Sequence, residues 1–303
     1  MAELLTMCPL CSTPSWEEVY TTGDRHYRIP GEFRVVRCVN CSLIFLNPMY
    51  SDEELAGMYP ADYYAYQDKF QSDGFKQGLK RALGFRTTTK DPRFAAPGRV
   101  LDIGCGSGWF LRNVQDQGWT AYGVEINAAA AQIGRELGGL NIFCGTLEQA
   151  GFPPDYFDYV RSNHAFEHMS RPKEQLQEMR RILKPGGKLM LGVPNIESLA
   201  AKLFGRYWWY LGAPVHPFSY SVRTLTALLQ ENGFAIENVV YNGDYYGILG
   251  SCQIWLNRKN GKKSSEGSVV NNPLLRLGSQ WLMNMMDWVG QGDCIEVTSS
   301  RVC

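Results

Sequence analysis

The sequence predicts an α/β protein: a parallel sheet covered by helices on both faces, with a small metal-stabilised ribbon in front of it. Three observations predict it. Between residues 98 and 241, short apolar runs alternate with helical stretches at strand–helix–strand spacing. The run Val100-Leu101-Asp102-Ile103-Gly104-Cys105-Gly106-Ser107-Gly108 places three glycines after an apolar run and before a helical one, where the backbone must turn tightly. Two Cys-x-x-Cys pairs, Cys8/Cys11 and Cys38/Cys41, stand near the front.

The elements follow in order. Residues 1–47 read as a ribbon of short strands, broken at Gly23 and Pro30-Gly31. Each Cys pair puts two thiolates on one tight turn, and two such turns close a tetrahedral zinc site. Four thiolates leave no open position, so the metal at Cys8, Cys11, Cys38 and Cys41 is expected to be structural. Incidental cysteine pairs and disulfides are the competing readings. Residues 48–97 read as a helical connector and cofactor lid, with a short helix at 51–55 capped by Ser51. A tyrosine-rich stretch, a helix over 70–85 and a surface loop follow. Residues 98–303 form the main domain. Strands are expected at 99–104, 120–126, 141–147, 156–166 and 186–194. Helices are expected at 109–118, 128–137, 172–183 and 224–231. Further strands fall at 234–241 and 294–300, the latter at an edge. Between these two lies an insertion, around 242–291. It contains a candidate strand at 251–259, an exposed mobile stretch at 261–267 and an amphipathic helix at 273–289.

Composition narrows the function. The chain has 303 residues, 45% of them hydrophobic and 20% charged, so a buried core is attainable and general disorder is excluded. Lys+Arg and Asp+Glu are 30 each, which argues against affinity drawn mainly from nucleic-acid phosphates. No apolar run reaches the roughly 18 residues of a membrane span, and the start shows no secretory pattern, so a cytoplasmic location is expected. Nine scattered cysteines do not suggest a disulfide scaffold.

Glu125 ends the second strand of the main domain, where an acid can accept both hydroxyls of a ribose. The glycine spacing is GxGxG, not the GxGxxG that cradles a pyrophosphate. Asp102, beside that loop, suits a ligand carrying an amine. On these residues, LDIGCGSG resembles the first motif of class I S-adenosylmethionine-dependent methyltransferases. Glu125 resembles their ribose-binding acid. Thr146, Leu147 and Glu148 resemble the loop that meets adenine. FDYVRSNHAFEHM and LKPGGKLMLGVPN resemble the fourth and fifth strands. HPFSYSVRTLTALLQENGF is similar to a stretch of the subgroup acting on small molecules and sugars. CPLC, CVNCSLIFLNP and YPADYYAY resemble that subgroup's zinc-ribbon prefix.

The resemblance implies a Rossmann-like seven-stranded methyltransferase sheet, with 234–241 and 294–300 as its sixth and seventh strands. It implies S-adenosylmethionine contacts from Asp102, Gly104, Cys105, Gly106, Gly108, Glu125, Ile126, Thr146, Leu147, Glu148 and Asn163. Tyr63 or Tyr64 would close over the methionine end. Phe110 would lie beside the cofactor or in the core.

A weakly acidic acceptor needs a general base that titrates near neutral pH. His164 and His168 follow the fourth strand, and His164 is the expected base, with His168 a brace or cofactor contact. A second reading makes His164, Glu167 and His168 ligands of a divalent ion. His216 follows the aromatic run Tyr207-Trp208-Trp209-Tyr210 and is either a second acid/base group or a structural histidine. Such aromatics suit an aromatic, apolar or sugar substrate. The expected function is methyl transfer to a small-molecule acceptor: a natural product, a sugar or a lipid-linked intermediate. An RNA methyltransferase is the first rival, though residues 1–50 carry no basic surplus. A non-catalytic cofactor-binding interaction protein is the second. The helix at 273–289 could cap the pocket, form a homodimer seam or rest on a membrane.

Overall fold

In the computed structural model, residues 2–58, 97–260 and 262–302 are described. Tyr63, Tyr64 and the helix expected over 70–85 lie outside the described residues. The chain forms two compact units. One comprises Met1–Pro60, His164–Leu176 and Leu191–Ser299; the other comprises Ala61–Asn163, Gln177–Met190 and Ser300–Cys303.

The first unit opens with β1 (Trp16–Thr22), β2 (Phe33–Cys38) and β3 (Ile44–Leu46). These pair antiparallel in sequence order. Phe33, Val35, Ile44 and Leu46 are buried together against Ala213. α1 (Asp52–Ala56) starts at a full capping box: the Ser51 Oγ accepts from Glu54 N, and Ser51 N donates to Glu54 Oε2.

The second unit holds β4 (Arg99–Ile103), α2 (Trp109–Gln115), β5 (Thr120–Glu125), α3 (Ala128–Gly138), β6 (Asn141–Cys144) and β7 (Phe157–Asn163). Asn127 caps α3 through Ala130 N, and Gly139, at φ 61°, ends it. β4 pairs parallel with β5 on one side and β7 on the other, and β5 pairs parallel with β6. The chain therefore steps outward from β4 to β6 and then returns to the opposite side of β4. Open α/β sheets take their ligands at such a reversal, outside the carboxyl ends of the strands. Val100, Leu111, Ala121, Ile142, Tyr159 and Met190 pack the core of this unit.

α4 (Pro172–Ile182) and β8 (Leu183–Pro194) come next, then α5 (Leu199–Phe204), β9 (Phe218–Ser219), α6 (Val222–Glu231) and β10 (Phe234–Tyr241). α7 (Ser251–Asn257), α8 (Ser268–Asn271), α9 (Pro273–Trp288) and β11 (Cys294–Arg301) complete the described chain. The seven-stranded sheet runs β10-β11-β8-β7-β4-β5-β6, and the four-stranded sheet runs β1-β2-β3-β9. The expected α/β architecture with a seven-stranded sheet is present.

Three local expectations need correction. The strand at 294–300 is not an edge: β11 lies between β10 and β8, and β10 is the edge. Burial explains it, because Ile295, Val297 and Ser299 are wholly buried, while β10 alternates with mostly exposed positions. Residues 251–257 are helical, not a strand; a short apolar run cannot distinguish the two by period. The stretch at 261–267 is not wholly exposed. Ser264 is buried, with its N–H on Arg25 O and its Oγ 2.8 Å from His26 Nδ1. The helix at 273–289 forms as α9, with Met283 and Asp287 turned inward and Leu274, Leu277, Trp281, Met285 and Trp288 exposed. Among the described residues, no helix is long and apolar enough to cross a membrane.

Candidate functional site

The residues proposed for the cofactor collect at one edge of the second unit. Parallel pairing places Ile103 beside Val124 and Ser162, and Glu125 beside Cys144. The strands thus release Gly104–Gly108, Glu125–Ile126, Thr146–Glu148 and Asn163 at the same edge. Gly104, Gly106 and Gly108 have φ of 72°, 56° and 84°, so the turn uses the left-handed region three times. At Gly108 a Cβ would stand 2.3 Å from Leu140 Cδ1. The turn is bound to the acid: Glu125 Oε2 accepts from Gly106 N and Oε1 from Asn127 N, each at 2.8 Å. Burial pushes the Glu125 carboxyl upward, and these amides partly offset it. Ile126 is exposed, Thr146 half-buried, Leu147 buried and Glu148 exposed.

Asp102 does not face open space. It is buried, and Arg161 Nη1, opposite it on β7, donates to its Oδ1 at 2.8 Å. Burial raises the Asp102 carboxyl, and the guanidinium opposes that. The same guanidinium lies over the Phe110 ring, 4.2 Å from its centroid. Phe110 itself belongs to the buried core of this unit. Cys105 and Cys144 are partly buried and pack against that core.

The first unit gathers the histidines. His164 has φ 54°, a strained conformation for a residue with a Cβ. Its Nδ1 lies 3.4 Å from Glu167 Oε1, and its ring lies parallel to that of Tyr210. The Tyr210 hydroxyl donates to Asp244 Oδ1 at 2.7 Å. Burial would lower the His164 pKa, but Glu167, Asp244 and Glu296 together raise it. Burial would raise Glu167; the hydrogen-bonding and charge of His164, with His168 and His216, pull it down to about 2. His216 is lowered to about 3 by burial and by His168. The three-residue set expected for a divalent ion is not the one the fold assembles. Glu167, His168 and His216 are the residues whose ligand atoms come within 4.8 Å of one another, and His164 stands outside that group. His26 is structural, with its two ring nitrogens on Ser264 Oγ and Trp209 O.

The four front cysteines also converge. Cys8 Sγ is 3.6 Å from Cys41 Sγ, and Cys11 Sγ is 3.5 Å from Cys38 Sγ, with all four sulfurs within 4.8 Å. A tetrahedral zinc with bonds of about 2.3 Å has sulfur–sulfur edges of about 3.8 Å, so the set fits that ion. The two turns share one design. In each, a serine follows the second cysteine at positive φ (Ser12 at 56°, Ser42 at 66°) and donates its N–H to the first cysteine's carbonyl.

A family model described as a methyltransferase domain matches residues 70–239, more than half of the chain. The chain belongs to the methyltransferase domain family. It is 29% identical over 194 residues to the ubiquinone/menaquinone biosynthesis C-methyltransferase UbiE of Vibrio parahaemolyticus, a match covering 54% of this chain and 72% of that one. It is 32% identical over 138 residues to UbiE of Vibrio campbellii, covering 41% of this chain and 52%, about half, of that relative. Among solved structures, the complex of the Haloferax volcanii Trm112 methyltransferase activator with a methyltransferase superposes with a TM-score of 0.51 at 19% identity. That match covers 76% of this chain and 95% of the other and shows the shared fold.

As a methyltransferase, the chain is S-adenosylmethionine-dependent, and its strand-end edge fits that donor chemically. A carboxylate offers about four lone-pair positions, and the two amides on Glu125 occupy two of them. The Ile126 amide also approaches this carboxylate, which leaves about one position clear for a hydroxyl. Arg161, Tyr210 and Asp244 are the site residues that sequence reasoning did not assign a role. The aromatic run held the only signal for Tyr210. Arg161 and Asp244 had none.

Proposed function

We propose that this methyltransferase moves a methyl group to an oxygen, nitrogen or carbon of a small-molecule acceptor, with His164 as general base. The relatives named for quinone biosynthesis support a small or lipid-linked acceptor, and the balanced charge is consistent with it. When bound, the donor supplies a methyl sulfonium that needs little activation. Glu125 would hold its ribose, Gly104–Gly108 its approach, and Ile126 with Thr146, Leu147 and Glu148 its base. Asp102, paired with Arg161, would brace the strand behind the loop as a neutralised ion pair. The chain's remaining task is to take a proton from the acceptor.

The observation that carries the base assignment is the strained backbone of His164 combined with its contact to Glu167. Strain of this kind persists where the surroundings hold a residue in one working geometry. Glu167 stabilises the imidazolium that forms when the proton is taken. The test is turnover with labelled donor and candidate quinol, phenol and sugar acceptors. A loss of methylation in His164→Asn with donor affinity unchanged supports the reading. Turnover retained at neutral pH overturns it.

A further inference from the structure

Glu167 is 1% exposed, and among the described residues neither of its carboxylate oxygens receives a well-formed hydrogen bond, the nearest donor being His164 Nδ1 at 3.4 Å from Oε1. A buried carboxylate without donors is expensive, and such groups are normally held by paired charge or by a cation. The His164 contact, at 3.4 Å, is longer than a charge-assisted hydrogen bond.

His168 and His216 stand beside this carboxylate, with their rings edge-to-face and centroids 4.5 Å apart. Each ring directs Nδ1 at a main-chain carbonyl: His168 at Val215 O, 2.8 Å away, and His216 at Tyr210 O, 3.0 Å away. A carbonyl oxygen only accepts, so Nδ1 carries the proton in both rings, and in His216 the lone pair is left on Nε2. That tautomer, fixed by an outer contact, is the one in which an imidazole binds a metal through Nε2. The backbone is shaped for one of these rings. Gly212 sits at φ 58°, and a Cβ there would lie 2.3 Å from His216 Nδ1.

We propose that Glu167, His168 and His216 form a divalent-metal site with one carboxylate and two imidazoles as its protein ligands. Two nitrogen donors favour Zn²⁺, Fe²⁺, Co²⁺ or Mn²⁺ over Mg²⁺, which prefers an oxygen shell. Three protein ligands leave a position for water or an acceptor oxygen. The site does not depend on the identity of the acceptor or on His164 as base, because metal binding is measured without donor or acceptor.

The experiment uses the full chain with its four-cysteine site already filled with Zn²⁺, titrated with Co²⁺ and followed by absorption. One further equivalent is expected, with weak ligand-field bands and no added sulfur charge-transfer intensity. Glu167→Gln keeps the shape and should weaken that equivalent by more than the roughly 100-fold typical of losing an outer contact. His216→Asn should abolish it, while the zinc content is unchanged. Excess Mg²⁺ should fail to displace the Co²⁺. No further equivalent in the wild-type chain, or one that Glu167→Gln leaves unaltered, overturns the proposal. The wild-type titration decides alone if a variant does not fold. Pulsed electron paramagnetic resonance of the Mn²⁺-loaded wild type should then show coupling to imidazole nitrogen, and its absence counts against the site.

Discussion

His164 carries two properties that can be separated. Its positive φ favours residues that tolerate the left-handed region, and asparagine is one of them. His164→Asn should therefore fold as well as wild type while turnover falls by roughly 10²- to 10⁴-fold, the usual contribution of a general base. His164→Ala should show the same fall with additional loss of stability, read from urea midpoints. Because Glu167 raises the His164 pKa above its ordinary 6.5, turnover should climb with pH along a limb above that value. Stability from the charged pair runs the other way. It is fully present below the unfolded-state value and is lost as pH rises through the raised one. At the cofactor edge, Glu125→Gln should weaken binding of the donor or its demethylated product by roughly 10- to 100-fold, the value of a hydrogen bond to a charged group, measured by calorimetry. Glu125 and the glycines were legible because that chemistry demands those residue types at a strand end. Arg161 was not, since only the pairing of β7 with β4 sets it opposite Asp102. His216 reads from the sequence as either a second acid/base group or a structural histidine, and only the fold joins it to Glu167 and His168.

At the scale of elements, the turn into α2 and the cysteine turns both depend on left-handed backbone. Gly108→Ala meets strain and Leu140 together and should cost roughly 1–3 kcal/mol or more by urea denaturation. Cys38→Ser should lower bound zinc by one equivalent and make the ribbon sensitive to proteolysis, since such a ribbon draws much of its folding energy from metal. A zinc content unchanged from wild type would contradict the four-cysteine site. Most strands and helices between 99 and 241 were legible because long stretches with clear period and glycine punctuation leave few alternatives, whereas the short α5 and β9 were not expected. The candidate strand at 251–259 failed for want of length, since residues 251–257 are helical. The position of β11 failed because Ile295, Val297 and the small Ser299 are buried on one face while Glu296 and Thr298 on the other are half-buried and polar, an alternation that reads as an edge strand.

For the molecule as a whole, pH should act through opposed buried acids. Asp293 is fully buried, accepts from Ser198 Oγ and Trp208 Nε1, and is pushed up to about 6 by burial. A carboxyl raised in the folded state keeps its proton more readily there, so stability falls as pH rises from about 4 through about 6. Glu167, lowered to about 2, contributes stability above the ordinary carboxyl range that disappears as pH falls towards 2. Asp293→Asn should therefore gain on wild type more at pH 7 than at pH 4, seen as a larger shift of the urea midpoint. The front sheet adds a consequence of a different sort. β3 pairs with β9, and the two are far apart along the chain. During synthesis, β3 leaves the ribosome long before its neighbour exists, so the nascent ribbon carries an open hydrogen-bonding margin until residue 219 has emerged. Chaperone occupancy or sticking between nascent chains should peak in that interval and subside once Phe218 and Ser219 are available.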